Sequence, residues 1–331
     1  MIDGRIKIAF HGTNACSFSN DFASLINQDA DVYLLPDDLS GSADKKVFAA
    51  ADVIVGNRYD KSLPHPTALK LFHLPSAGYD AVDLGLMPES VTVCNCFGHE
   101  QAIAEYVMAA LLARHVPLRD ADAKLRKKDW AYRSGAPHRA HGEIAGKTIG
   151  LLGFGYIGKA IAKRARAFEM NIYVANRSVI SGSDLIDRFY RLDDLYAFCG
   201  SIDVLVVCLP LAAATTGIVN ADAFAAMKPD AVIVNVSRGP IVNEHALYDA
   251  LVSNRIAGAI IDTWYTYPTL DEESVLPSSL PFHELPNVVM TPHMSGWTDG
   301  TLRRRREAIA ANINRYARGE PCMNIVRAPR I

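Results

Sequence analysis

The sequence predicts an α/β protein of two domains, each built on a parallel sheet. Three observations lead there. At 331 residues the chain is longer than one hydrophobic core usually supports. Short, β-rich apolar runs alternate with helical stretches along its length. Those runs are continuously apolar rather than alternating, as expected of strands covered by helices on both faces.

The first series of runs is "RIKIAFHG" (5–12), "DVYLLP" (31–36), "ADVIVGN" (51–57), "LKLFHLPS" (69–76) and "VTVCNC" (91–96). A long helical pattern, "GHEQAIAEYVMAALLARHVPLRD" (98–120), follows, and then a charged stretch up to Gly146. The second series is "KTIGLLG" (147–153), "NIYVANR" (171–177), "IDVLVVCLP" (202–210), "DAVIVNVS" (230–237), "IAGAIID" (256–262) and "NVVMTP" (287–292). One more helix, stopped by "GEP" at 319–321, ends the pattern with no strand expected after it. A last helix with no sheet of its own is expected to return to the first domain. The expected division is 1–97 with 298–331, and 98–297.

Composition narrows the class. The net charge of −2 gives no sign of nucleic-acid partners. No apolar run approaches the ~20 residues of a membrane span, and the charged start "MIDGRIKIAFHG" is not a signal peptide. Cysteines 16, 94, 96, 199, 208 and 322 read as reduced thiols in a cytoplasmic protein. "CNC" (94–96) is too tight for a zinc pair, and His138 and His141 lack further ligands nearby, so no metal is expected. The run "RRRR" (303–306) is expected to be a solvated or interface face of a helix.

The chemistry begins at "GLLGFGYIGKAIAKRARAF". Gly153, Gly155 and Gly158 have the G-x-G-x-x-G spacing between an apolar strand and an amphipathic helix. Glycines there permit a tight turn, close approach to a pyrophosphate and helix–strand packing, as in a Rossmann-type doubly wound nucleotide-binding domain. The helix N-terminus then faces the phosphates. An acidic residue about 20 positions on usually reads the adenine ribose. This chain has Asn176, Arg177 and Ser178 at that place. Asn removes the repulsion of a 2′-phosphate and Arg adds forked donors, so NADP is expected in preference to NAD.

"LLGFGYIG", "CLPL" (208–211), "NVSRGPIVN" (235–243) and "TPHMSG" (291–296), in this order, with "LPSAGYDAVDL" (74–84), resemble the D-isomer-specific 2-hydroxyacid dehydrogenase family over nearly the whole chain. The resemblance implies a nucleotide domain at 98–297 and a split, flavodoxin-like substrate domain. It implies a homodimer formed through the long helix. It also implies that Arg238 binds the substrate carboxylate and polarises the keto oxygen, and that His293 exchanges the proton on that oxygen. Backbone amides of Ser76, Ala77, Gly78 and Tyr79 hold the carboxylate, and Asp262 holds the nicotinamide carboxamide. The implied cofactor set is Gly153, Gly155, Tyr156, Ile157, Gly158, Asn176, Arg177, Ser178, Leu209, Pro210, Val236, Ser237 and Asp262.

The chemistry of the residues agrees. A 2-keto acid needs a forked cation for its carboxylate, which Arg supplies. Reduction of its carbonyl needs a donor that titrates near neutral pH, which His supplies. Trp130 and Trp297 are candidates to line the substrate cleft, with core packing an equal alternative.

One position departs from the pattern. In the family the segment after the Asp262 strand ends in Glu-Pro, and that glutamate pairs with the histidine. Here it reads "IDTWYTYP" (261–268), with Tyr267-Pro268. The expectation is that His293 works without a carboxylate and stays near the ordinary imidazole value of about 6.5. The lesser alternative is that Asp271, Glu272, Glu273 or Glu284 takes the place.

The leading expectation is therefore an NADPH-preferring reductase of glyoxylate- or hydroxypyruvate-class acids. Alternatives are a family member oxidising another small anion, as formate dehydrogenases do with a glutamine at the Tyr267 position, and a non-enzymatic nucleotide sensor or corepressor.

Overall fold

The computed structural model describes residues 4–136, 140–180, 182–269 and 272–330. The chain forms two compact units, Met1–Gly98 with Thr298–Ile331, and His99–Trp297.

The first unit holds β1 (Ile6–His11), β2 (Ala30–Leu35), β3 (Val53–Gly56), β4 (Leu71–His73) and β5 (Thr92–Cys94). The second holds β6 (Thr148–Leu152), β7 (Asn171–Asn176), β8 (Arg188–Arg191), β9 (Val204–Val207), β10 (Val232–Asn235), β11 (Gly258–Ile261) and β12 (Val288–Met290). β13 (Ile325–Arg327) belongs to the first unit again.

In the first sheet the order is β13-β5-β4-β3-β1-β2, parallel except for β13. This is the 2-1-3-4-5 flavodoxin-like order with an antiparallel strand added at one edge. Ile8, Phe10, Val53 and Val55 face one side of it, and Ala9, Ile54 and Phe72 the other, all buried. Ile309, Ala310 and Ile313 of the last long helix, Asp299–Ala317, join the first of these cores. That helix starts on Thr298, whose hydroxyl accepts the Thr301 N–H at 3.2 Å.

The second sheet runs β12-β11-β10-β9-β6-β7-β8, parallel throughout. Read from β8, it is the doubly wound order 3-2-1-4-5-6 with one strand more. Its order reverses between β6 and β9, and a ligand crevice is expected beyond the carboxyl ends of those strands. β6, β9, β10 and β11 are buried along their whole length, which explains their uninterrupted apolar sequences.

Three features differ from the sequence expectations. β8 (RFYR) was not foreseen, because an edge strand with arginines at both ends lacks an apolar run; Arg188 lies over the rings of Tyr173 and Tyr190. β13 follows the last helix where no strand was expected, held by pairing with β5 rather than by its own hydrophobicity. The long helical pattern stops at His115, and Leu118–Leu125 forms a separate helix. Pro117 offers no N–H and disfavours helical backbone at Val116.

The arginine run is also corrected. Successive helical positions turn by about 100°, so four in a row cannot share one face. Arg303 is exposed, Arg305 is buried, Arg304 Nε donates to Gly98 O at 2.7 Å and Arg306 Nη1 to Asn20 O at 2.9 Å.

Candidate active site

The glycine turn connects β6 to the helix Tyr156–Ala167. Gly153 has φ +102°, and a Cβ there would lie 3.0 Å from the Cys208 carbonyl; at Gly158 a Cβ would lie 2.5 Å from Gly153 O. Both positions need glycine. Gly155 is exposed, with nothing within 4 Å of a Cβ position, which leaves its backbone open to a ligand. The helices at Ala221, Glu244 and Asp299 are capped by the side chains of Asn220, Asn243 and Thr298, whereas the helix at Tyr156 starts on Gly155 with no side-chain cap. A helix N-terminus without a side-chain cap suits an anion. The turn thus fits a dinucleotide pyrophosphate.

At the end of β7, Asn176 Nδ2 donates to Ser178 O at 2.9 Å, closing the turn on itself. Arg177 and Ser178 are exposed, and among the described residues the Arg177 guanidinium has no hydrogen-bond partner. Beyond β9, Leu209 is buried and Pro210 exposed. The side chains of Val236 and Ser237 are buried, and the Ser237 hydroxyl donates to Leu209 O. These two residues can meet a cofactor only through their backbone.

Arg238 follows β10. Its backbone is fixed by Asn235 Nδ2, which donates to Arg238 O at 3.1 Å, and its Nη1 donates to Ser237 O at 2.8 Å. Gly239 packs so tightly that a Cβ would sit 2.3 Å from Trp264 O. That contact brings the Arg238 segment against the end of β11, where "IDTWYTYP" begins.

In that stretch Tyr267 meets the histidine. The Tyr267 hydroxyl lies 3.0 Å from His293 Nδ1, and the Trp264 N–H donates to the same hydroxyl at 3.1 Å. One lone pair of the Tyr267 oxygen is therefore used by a backbone donor, and the hydroxyl can still give its proton to Nδ1 or accept one from it. His293 is exposed and has φ +58°, a left-handed backbone that costs a residue with a Cβ on the order of 1 kcal/mol. Apolar walls from Trp264, Pro268, Val275, Met290 and Pro292 bound a cavity of about 350 Å3 beside Tyr267.

Asp262 sits under this turn with its side chain fully buried. Oδ1 accepts the Thr291 hydroxyl at 2.6 Å and the Met294 N–H at 2.8 Å, and Oδ2 accepts the Ser295 N–H at 3.0 Å. The Trp264 indole donates to Thr291 O at 2.8 Å. Tyr106, on the helix Glu100–His115, places its hydroxyl 2.7 Å from Thr291 Oγ1. Burial pushes the Tyr106 phenol above its ordinary value, with the Asp262 charge adding and the Thr291 hydrogen bond opposing. Trp264, Thr291 and Tyr106 were not singled out as site residues from the sequence. Trp264 and Thr291 lie beside the expected site residues in sequence, whereas Tyr106 lies within the long helical pattern at 98–120, where nothing local marks it for the site.

In the first unit, Ser76–Tyr79 form the loop after β4. Ser76 Oγ donates to Gly78 O at 2.8 Å and Asn95 Nδ2 to Ala77 O at 2.6 Å, so the loop's carbonyls are held. Among the described residues, the backbone N–H groups of Ser76, Ala77, Gly78 and Tyr79 donate to no partner.

Of the other candidates, Trp130 and Trp297 are exposed. His141 Nδ1 lies 2.9 Å from Gly142 O on an exposed stretch, and His138 lies outside the described residues. Of the acids considered as partners of His293, Asp271 is also outside them, and Glu284 stands 3.9 Å from His283. Among the described residues no group of three or more His, Cys, Asp or Glu could hold a metal, and no helix is long and apolar enough to cross a membrane.

A nucleotide fold with an arginine after β10 and a histidine after β12 defines a class, and comparison with known proteins agrees. The NAD-binding domain of D-isomer specific 2-hydroxyacid dehydrogenases matches residues 108–295. D-3-phosphoglycerate dehydrogenase of Methanocaldococcus jannaschii is 31% identical over 272 residues, covering 80% of this chain and 48% of that protein. Glyoxylate reductase of Pyrococcus horikoshii is 32% identical over 285 residues, covering 83% and 81%. The structure of an NADPH-dependent glyoxylate/hydroxypyruvate reductase from Sinorhizobium meliloti, with NADP and malonate, is similar with a TM-score of 0.77, at 26% identity and 99% coverage of both chains. The chain spans about half the length of the phosphoglycerate dehydrogenases it matches. It belongs to the D-isomer specific 2-hydroxyacid dehydrogenase family.

Proposed function

We propose that this protein reduces a small 2-keto acid of the glyoxylate or hydroxypyruvate class, with NADPH as the preferred reductant. The observation that carries the reading is the exposed His293 imidazole, whose Nδ1 is engaged by the Tyr267 hydroxyl at 3.0 Å. The similarity to glyoxylate reductases supports the substrate class.

When bound, the cofactor supplies the hydride. The protein's residues do the rest. Arg238 offers a fork of donors to the carboxylate and the keto oxygen, stabilising the charge that grows there. His293 gives its Nε2 proton to that oxygen. Tyr267 orients the ring from the other side. In the first unit the amides of Ser76–Tyr79 are offered to a carboxylate. Arg177 and Ser178 receive the 2′-phosphate. The protein is expected to act as a cytoplasmic homodimer.

The test is a panel of 2-keto acids with NADPH and with NADH, in the parent and in His293→Gln. Turnover of glyoxylate or hydroxypyruvate that falls at least a hundredfold in the variant supports the reading. Stoichiometric NADPH binding without turnover on any keto acid would overturn it in favour of a sensor.

A further inference from the structure

We infer that Tyr106 is a positioning residue for His293, acting across the helix Glu100–His115 through Thr291 and Asp262. The inference rests on the proposed role of His293 as proton donor. It starts from the direction of the hydrogen bonds. Both oxygens of Asp262 accept: Oδ2 from the Ser295 N–H, and Oδ1 from the Met294 N–H and the Thr291 hydroxyl. A hydroxyl has one proton, and Thr291 has given its own to Asp262. The 2.7 Å contact with Tyr106 must then run from the Tyr106 O–H to Thr291 Oγ1. The order is fixed as Tyr106 to Thr291 to Asp262, with a buried carboxylate at its end.

The three acceptor bonds of Asp262 all go to 291–295, the turn that holds His293 at its left-handed φ of +58°. A turn in that conformation needs the surrounding structure to over-determine it. Asp262 does so from beneath, Trp264 from the Thr291 carbonyl, and Tyr106 from the Thr291 hydroxyl. The fully buried Asp262 thereby serves the reaction through the turn that carries the imidazole. Tyr106 joins a helix of sixteen residues to that turn, so the rigid helix sets the height of His293. Each link strengthens the next by polarising it.

Tyr106→Phe keeps the ring and removes the donor. The expected result is a roughly two- to tenfold fall in kcat, the worth of one hydrogen bond, with the KM for NADPH unchanged. Thr291→Val should fall further, Thr291→Ser should recover most of that loss, and the double Tyr106→Phe, Thr291→Val should be no worse than Thr291→Val alone. A second measurement does not depend on turnover: amide hydrogen exchange at Met294 and Ser295 should be faster in Tyr106→Phe than in the parent. Unchanged kcat and unchanged exchange in Tyr106→Phe, or additive losses in the double variant, overturn the inference. If His293→Gln keeps full activity, the role of His293 itself fails, and the exchange rates alone then decide whether Tyr106 holds the turn.

Discussion

The Tyr267 hydroxyl and His293 Nδ1 stand 3.0 Å apart, at the position where the family pattern has a glutamate. The oxygen is anchored from behind by the Trp264 N–H. A phenol stands where the family pattern has a carboxylate, and it orients the imidazole through a hydrogen bond rather than through a negative charge of its own. Tyr267→Glu should therefore shift the pH profile of kcat/KM for reduction to higher pH. A negative charge beside Nδ1 favours the imidazolium, which then keeps its proton as pH rises. Tyr267→Phe should lower kcat roughly two- to tenfold by freeing the ring. A Glu variant that is active but shows an unmoved profile would separate Tyr267 from the proton transfer.

Cofactor choice should depend on Asn176. Its amide is turned onto Ser178 O, and Arg177 beside it is exposed. A carboxylate in its place would accept ribose hydroxyls and repel a 2′-phosphate. Asn176→Asp should lower kcat/KM with NADPH tenfold to a hundredfold, about 1.5–3 kcal/mol, while changing NADH use little. Equal losses with both cofactors would count against selection at this turn.

Arg238→Lys keeps the charge and loses the fork. The Arg238 backbone is held by Asn235 and by the packing of Gly239 on Trp264, so the variant should fold normally. Its kcat/KM should fall roughly tenfold to a hundredfold. Near-parental kinetics would remove Arg238 from carboxylate binding.

A stability prediction concerns the first unit. His73 is fully buried; its Nε2 accepts the Asn312 Nδ2 hydrogen at 3.0 Å and its Nδ1 faces Leu74 O at 3.0 Å. Burial lowers its pKa from 6.5 to about 4. Between those values the unfolded chain binds a proton that the folded chain refuses. Stability should then rise with pH through that window, and fall by up to about 3 kcal/mol as pH drops from 6.5 to 4. Urea denaturation across pH 4–7 should show this slope in the parent and a flatter one in His73→Gln. Matching slopes would show that His73 is not the group responsible.

Much of this protein was legible in its sequence because the signals are local. Continuous apolar runs marked the buried strands, and the glycine spacing marked a turn in which Gly153 and Gly158 have no room for a Cβ. The substitution of Tyr267 for an acid was visible in eight letters. What lay beyond the sequence was decided by contacts between distant segments. β13 exists because β5 offers it an edge, and β8 because Arg188 finds two aromatic rings. The arginines at 304 and 306 are directed by backbone carbonyls that the folded first unit brings beside one helix, Gly98 O and Asn20 O. Tyr106 reaches Thr291 across 185 positions of chain, and no pattern around Tyr106 announces it. Hydrophobic periodicity is a property of neighbours, whereas a hydrogen bond that holds a strained turn is set by the folded arrangement that brings its two ends together.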